Sequence, residues 1–113
     1  METAQTLLVF TQMPDAESAE ALGAALIEAR LAACVNLLPA VRSIYRWRGR
    51  VGQASEVPLL IKTTAARYAA LEAFVRAHHP YELPEVVAVP VTHGLAGYLA
   101  WIDLETRPET ISC

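Results

Sequence analysis

Apolar residues recur along this chain with two alternating periods. Thr6-Leu-Leu-Val-Phe-Thr11 is a short run of β-formers, the pattern of a buried strand. Met13-Pro14-Asp15 breaks it, and Asp15 stands where a side chain can cap a helix whose first turn carries Glu17. Ala19, Leu22, Leu26 and Ala29 then mark one stripe of an amphipathic helix. Residues 32–38 return to strand character and stop at Pro39. Residues 42–51 predict an extended segment with a turn over Gly49–Gly52. A strand over 56–63 follows, in which Pro58 marks a break or an edge. Thr64 is placed to cap a second helix over 65–78, with Leu71, Phe74, Val75 and His78 on or near one face, and Pro80 ends it. Residues 86–91 predict the next strand. Gly94 and Gly97 flank a last helix holding Leu95, Tyr98, Leu99, Trp101 and Ile102, and the tail over 107–113 has no clear period.

The order is β-α-β-β-α-β with an added C-terminal helix. Right-handed crossovers turn it into an α+β, ferredoxin-like sheet with helices on one face. One domain over residues 1–113 accounts for the pattern, and no repeat or linker interrupts it. That plan hosts many functions, so the chemistry has to come from particular residues.

Composition adds a constraint. Hydrophobic residues make up 54% of the 113, yet no apolar run reaches the roughly 20 residues that cross a bilayer. A domain this small has little interior relative to its surface, so the excess predicts burial between copies of the chain. The net charge of −3 argues against a nucleic-acid or anionic-membrane partner. The start, Met1-Glu2-Thr3, lacks the basic opening of a signal peptide, and Cys34 and Cys113 form no C-x-x-C pair. Both features predict a reduced, cytoplasmic setting.

Few stretches carry chemistry. No G-x-S-x-G elbow, glycine-rich phosphate loop or Cys-His signature is present, which predicts a non-enzymatic protein. Cys34, in an apolar strand, reads as a buried structural thiol. On a strand, Arg42, Ile44, Arg46, Arg48 and Arg50 share one face while Ser43, Tyr45, Trp47 and Gly49 share the other. Two readings follow: an anion or nucleotide contact, or a hairpin whose aromatics pack on a neighbouring subunit while its arginines stay solvated. The acidic balance favours the second. Lys62, near a strand end, and Glu56 either supply convergent polar groups for a ligand or reach solvent.

"RAHHPYELPEV", residues 76–86, pairs two histidines before a proline. Adjacent side chains on a helix diverge by about 100°, but Pro80 takes His79 out of helical geometry and lets the rings converge. Glu82, Glu85 and His93 are further donors, and imidazole with carboxylate suits a divalent cation. The bland reading is a helix terminus in which His78 finishes the inner face, His79 caps the carbonyl end and Tyr81 packs. Taken alone, the residues favour that reading, because the spacing matches no established metal pattern.

Taken together, "LAACVNLLP" (31–39), "SIYRWRGRV" (43–51), "EVPLLIKTT" (56–64), "HHPYELPEVVAVPV" (78–91) and "YLAWI" (98–102) resemble the CutA divalent-cation-tolerance family from Val9 to Ile102. The resemblance implies a ferredoxin-like protomer in a compact homotrimer similar to the PII signalling proteins, with the hairpin of Tyr45 and Trp47 extending into the next subunit. It implies a role in the response to metal ions, copper or another divalent cation, with His78 and His79 as metal ligands. It also implies a ligand cleft between subunits at Trp47, Glu56, Lys62, Glu82, Glu85, Tyr98 and Trp101, open to a small ligand. A protein partner or a PII-like signal carried by a small anion or nucleotide is the alternative. The family's cysteine at the end of the first strand is Thr11 here, a poor substitute for a thiolate at soft copper.

Overall fold

The computed structural model describes residues 4–108; Met1–Thr3 and Glu109–Cys113, Cys113 included, lie outside them. Strand β1 (Thr6–Met13) leads into helix α1 (Ala16–Glu28), then β2 (Cys34–Leu37), β3 (Val41–Trp47) and β4 (Arg50–Thr64). Helix α2 (Ala65–His78), strand β5 (Val87–Pro90) and helix α3 (Ala96–Glu105) complete the chain. The sheet order is β2-β4-β1-β5, with β3 also pairing β4, and every ladder is antiparallel. This is the expected ferredoxin-like order with the third helix added.

β4 is fifteen residues long and serves three neighbours. Its second half pairs β1 from Met13↔Val57 to Thr6↔Thr64, and β2 from Leu37↔Leu59 to Cys34↔Lys62. Its first half pairs β3 from Val41↔Glu56 to Trp47↔Arg50. Pro58 therefore sits inside a strand and not at a break. Its carbonyl accepts the Leu38 N–H at 3.0 Å, so the side of Pro58 without a donor faces the gap between β2 and β3. Only there is a missing N–H cheap.

The β3–β4 hairpin turns over Arg48 and Gly49, both with positive φ (50° and 80°). That is the two-residue turn whose twist matches paired strands, and it is tighter than the turn expected over Gly49–Gly52. Gly52 lies within β4 beneath the Tyr45 ring, where an added Cβ would stand 3.1 Å from Tyr45 Cζ.

Alternation along the strands separates two faces. Val9, Met13, Val57, Leu59 and Ile61 point one way and pack with Ala19, Leu22 and Leu26 of α1 and Leu71 and Val75 of α2. Each such Leu, Ile or Val side chain contributes about 1.5–3 kcal/mol by leaving water. The other face carries Leu8, Phe10, Leu60, Val87 and Val89, none of them buried. That face carries neither α1 nor α2, and its apolar side chains stay partly or fully exposed.

The helix ends follow local chemistry with two departures. Asp15 caps α1 by accepting the Ser18 N–H at 2.7 Å, and that backbone bond, with the Ser18 side chain, holds the carboxyl below its ordinary value. α1 closes with Arg30 at φ 57°, the Arg30 and Leu31 amides returning to Ile27 and Leu26 carbonyls; Ala29 is an exposed cap and not part of the buried stripe. Thr64 occupies the cap position of α2, but its side chain makes no capping bond. It is 1% exposed, held by the sheet. Gly97 lies within α3, one residue past its start, so only Gly94 precedes the helix. No helix of the described residues is long and apolar enough to cross a membrane.

Two consequences can be measured. Leu59→Ala removes a fully buried side chain from the centre of the core and should lower unfolding stability by about 2–5 kcal/mol in denaturant titrations; a loss below 1 kcal/mol would place the core elsewhere. Asp15→Ala should also destabilise. Because the folded carboxyl titrates below the unfolded one, the cap contributes fully above the unfolded value and is lost as pH falls through the folded value. The gap between native and Asp15→Ala melting temperatures should therefore close on acidification, and a gap constant with pH would contradict the capping role.

Candidate functional site

Where the hairpin leaves the body of the sheet, β1 and β3 diverge and the 81–85 segment crosses in front. The result is an open groove of about 750 Å³. Gln12 and Glu56 form its floor, Tyr45 and Trp47 one wall, and Tyr81 and Glu85 the other. Four of the seven expected cleft residues, Trp47, Glu56, Glu82 and Glu85, line it. Lys62, Tyr98 and Trp101 do not. Lys62 Nζ stands 5.8 Å from the Tyr98 ring centre, and Tyr98 and Trp101 lie 5.6 Å apart, at the opposite end of the uncovered sheet face. Within one chain the seven residues form two separate groups.

The groove is held by neutral donors and one exposed ion pair. Arg48 contacts Glu82 at 2.6 Å and sets its guanidinium 5.2 Å from the Trp47 ring centre; both partners are about 70% exposed, so the pair adds little to stability. Gln12 Nε2 donates to Glu85 Oε1 at 3.2 Å, and Ser43 Oγ lies 3.5 Å from Gln12 Oε1. Burial, then hydrogen bonding to the Glu56 carboxylate and its charge, pushes Tyr81 up to about 12. Neither Glu56 nor Glu85 has a cationic partner among the described residues.

The two histidines are fixed in different ways. His78 stays in the last turn of α2, stacked on Phe74 at 4.1 Å between ring centres, with Nδ1 2.8 Å from the Phe74 carbonyl. A carbonyl only accepts, so Nδ1 carries the proton and Nε2 keeps its lone pair. His79 is the cap residue, in extended backbone at φ −94° and ψ 135°. Its Nε2 is 2.6 Å from the Gln12 carbonyl and its Nδ1 accepts the Tyr81 N–H at 3.2 Å. Both nitrogens of that ring are engaged with backbone.

Within one chain the described donor groups are therefore not drawn together. Between them the two rings leave one nitrogen open, His78 Nε2. Thr11 is fully buried, paired with Leu59 on the helix-covered face, and its hydroxyl has no partner among the described residues. His93 bonds its neighbour Thr92. Among the described residues no three His, Cys, Asp or Glu side chains converge on a point a metal ion would occupy.

Cys34 departs from expectation. It is half-buried on the uncovered face, with Lys62 Nζ 3.9 Å from its sulfur, because the strand position next to Val35 points away from the helices. Two groove residues lacked a clear sequence signal. Gln12 was hidden by the expected end of β1 at Thr11, two residues short of its end at Met13. Tyr81 read as a packing residue, and only the fold sets it opposite Glu56.

The sequence profile described as CutA1 divalent ion tolerance protein matches residues 7–105. Protein CutA of Mus musculus is 46% identical over 98 residues, which are 87% of this chain and 55% of that protein; the chain thus spans about half the length of this relative. The crystal structure of CutA1 from Oryza sativa superposes with a TM-score of 0.90 at 38% identity, covering 93% of this chain and 96% of that one. A structure from Archaeoglobus fulgidus, described as the periplasmic divalent cation tolerance protein CutA, gives a TM-score of 0.87 at 32% identity over 90% of this chain and 99% of that one. With the family profile spanning nearly all of its core and the fold shared from β1 to α3, this chain belongs to the CutA1 divalent ion tolerance family.

Proposed function

We propose that this protein works in the response to divalent cations as a cytoplasmic, non-enzymatic homotrimer that takes up the ion, copper included, through the imidazole of His78. The observation carrying this reading is the state of that ring. Nδ1 is tied to the Phe74 carbonyl and the face is stacked on Phe74, so Nε2 is presented to solvent in a fixed direction. A ligand histidine is ordinarily oriented in this way by a backbone carbonyl behind it. His78 acts alone in one protomer, which supports modest affinity and borderline metals over tight capture of soft copper.

Assembly is supported by the uncovered sheet face. Leu8, Phe10 and Leu60 lie on it, joined by Val87 and Val89 at 50% and 44% exposure. A contiguous apolar surface of this kind marks an interface. The rival reading, a PII-like sensor of a small anion or nucleotide, has less to draw on. The groove presents three carboxylates, Glu56, Glu82 and Glu85, against one cation, Arg46, and Lys62 stands outside it.

Titration with divalent copper and zinc by calorimetry should show binding that His78→Ala removes and His79→Ala preserves. No binding by native protein, or binding indifferent to His78→Ala, would refute the assignment. By sedimentation the native chain should run as a trimer at micromolar concentration, and Val89→Glu should shift it towards monomer while circular dichroism stays unchanged. A native monomer would refute the assembly.

A further inference from the structure

His79 sits at the crossing point of the groove's supports. Its ring bridges the backbone of two groove residues, Gln12 and Tyr81, and the Gln12 side chain in turn holds Glu85. On one side, His79 Nε2 donates to the carbonyl of Gln12, whose amide donates to Glu85. On the other, His79 Nδ1 accepts the N–H of Tyr81, whose phenol faces Glu56. The rings of His79 and Tyr81 also touch, with centres 4.7 Å apart.

We infer that His79 is a positioning residue: as a neutral imidazole protonated on Nε2, it ties the 81–85 segment to β1 and so sets Tyr81 and Glu85 in the groove, and it does not ligate a metal ion. The tautomer follows from the partners. The Tyr81 amide can only donate and the Gln12 carbonyl can only accept, so one ring nitrogen must take each role. A metal ion on Nδ1 would displace the Tyr81 amide, and one on Nε2 would displace the proton held by Gln12. Ligation at either nitrogen therefore dismantles one of the two supports.

No aliphatic side chain replaces both bonds. Asparagine retains the acceptor for the N–H two residues on, the bond that turns of this kind use, but it is too short to span to β1. Glutamine has the reach to donate to Gln12. The ring makes both bonds at once because its two nitrogens, fixed in one rigid plane, point outward in diverging directions. This inference shares with the proposed function only the assignment of the metal ion to His78.

The test is imidazole ¹H–¹⁵N spectroscopy on the native assembly, with zinc as the diamagnetic probe, together with amide exchange at Tyr81. His79 should give the signature of a neutral ring protonated on Nε2, unchanged as zinc saturates the protein, while the His78 ring nitrogens shift. The Tyr81 amide should exchange roughly threefold to tenfold faster in His79→Ala, as expected for one lost hydrogen bond, and near the native rate in His79→Asn. Zinc-induced shifts of the His79 ring, or a ring protonated on Nδ1, would overturn the inference using native protein alone. Unchanged Tyr81 exchange in His79→Ala would overturn it too. If zinc moves neither histidine and calorimetry shows no binding, the proposed uptake of metal fails, while a Nε2-protonated His79 still supports the positioning role.

Discussion

A fifteen-residue strand that must pair with three others imposes the architecture. β4 lies against β1 and β2 over its second half and against β3 over its first, so its two halves have different surroundings. The second half has helices behind it, and its odd-numbered residues are buried. The first half runs past the end of β1, where no helix follows, and Ile44 and Val51 remain 67% and 65% exposed. Pro58 marks the handover, because the neighbouring ladder lapses at Leu38 and needs no donor there. The groove is a product of the same geometry: Glu56 is the residue just before Val57, the last in register with β1, so it pairs Val41 on one edge and meets an opening on the other.

The end of α2 settles the chemistry of the histidine pair in a similar way. Pro80 admits no helical residue before it, so His79 adopts extended backbone while His78 keeps the helical one. This divergence of backbone sends one ring back onto Phe74 and the other across to β1. Adjacency in sequence thus yields two environments. One nitrogen is left for solvent, and three are bound to protein groups or carry the proton that is.

Much of this was legible in the residues. The strand and helix order, the Asp15 cap, the stop at Pro80 and the family all follow from short-range patterns that report local geometry directly. Longer-range features were not. The passage of β4 through Pro58 depends on where a neighbouring strand ends, which no local rule encodes. The turn was expected at Gly52 because glycine favours turns, but Gly52 is required by the Tyr45 ring lying on it, and Arg48 accepts the left-handed conformation in its place. Thr64 occupies the cap position it was expected to, but its side chain is buried with the sheet and makes no capping bond. Of the cleft positions on strands, Trp47 and Glu56 line the groove and Lys62 does not, because alternation fixes which face a residue occupies and says nothing about where along the face it lies.

The uncovered apolar surface and the groove share that face. Gln12 and Glu56 belong to the same alternating set as Phe10, Leu60 and Lys62, separated only by their position along the strands. Were a copy of the chain to cover Leu60 and Val89, as proposed, it would border the groove, and the side chains it brought would help determine what the groove could accept. Occupancy and assembly are then thermodynamically linked: whatever binds better to the assembled form stabilises the assembly to the same degree. Burying the hydrophobic excess and admitting a ligand are, on this sheet, constraints on a single surface.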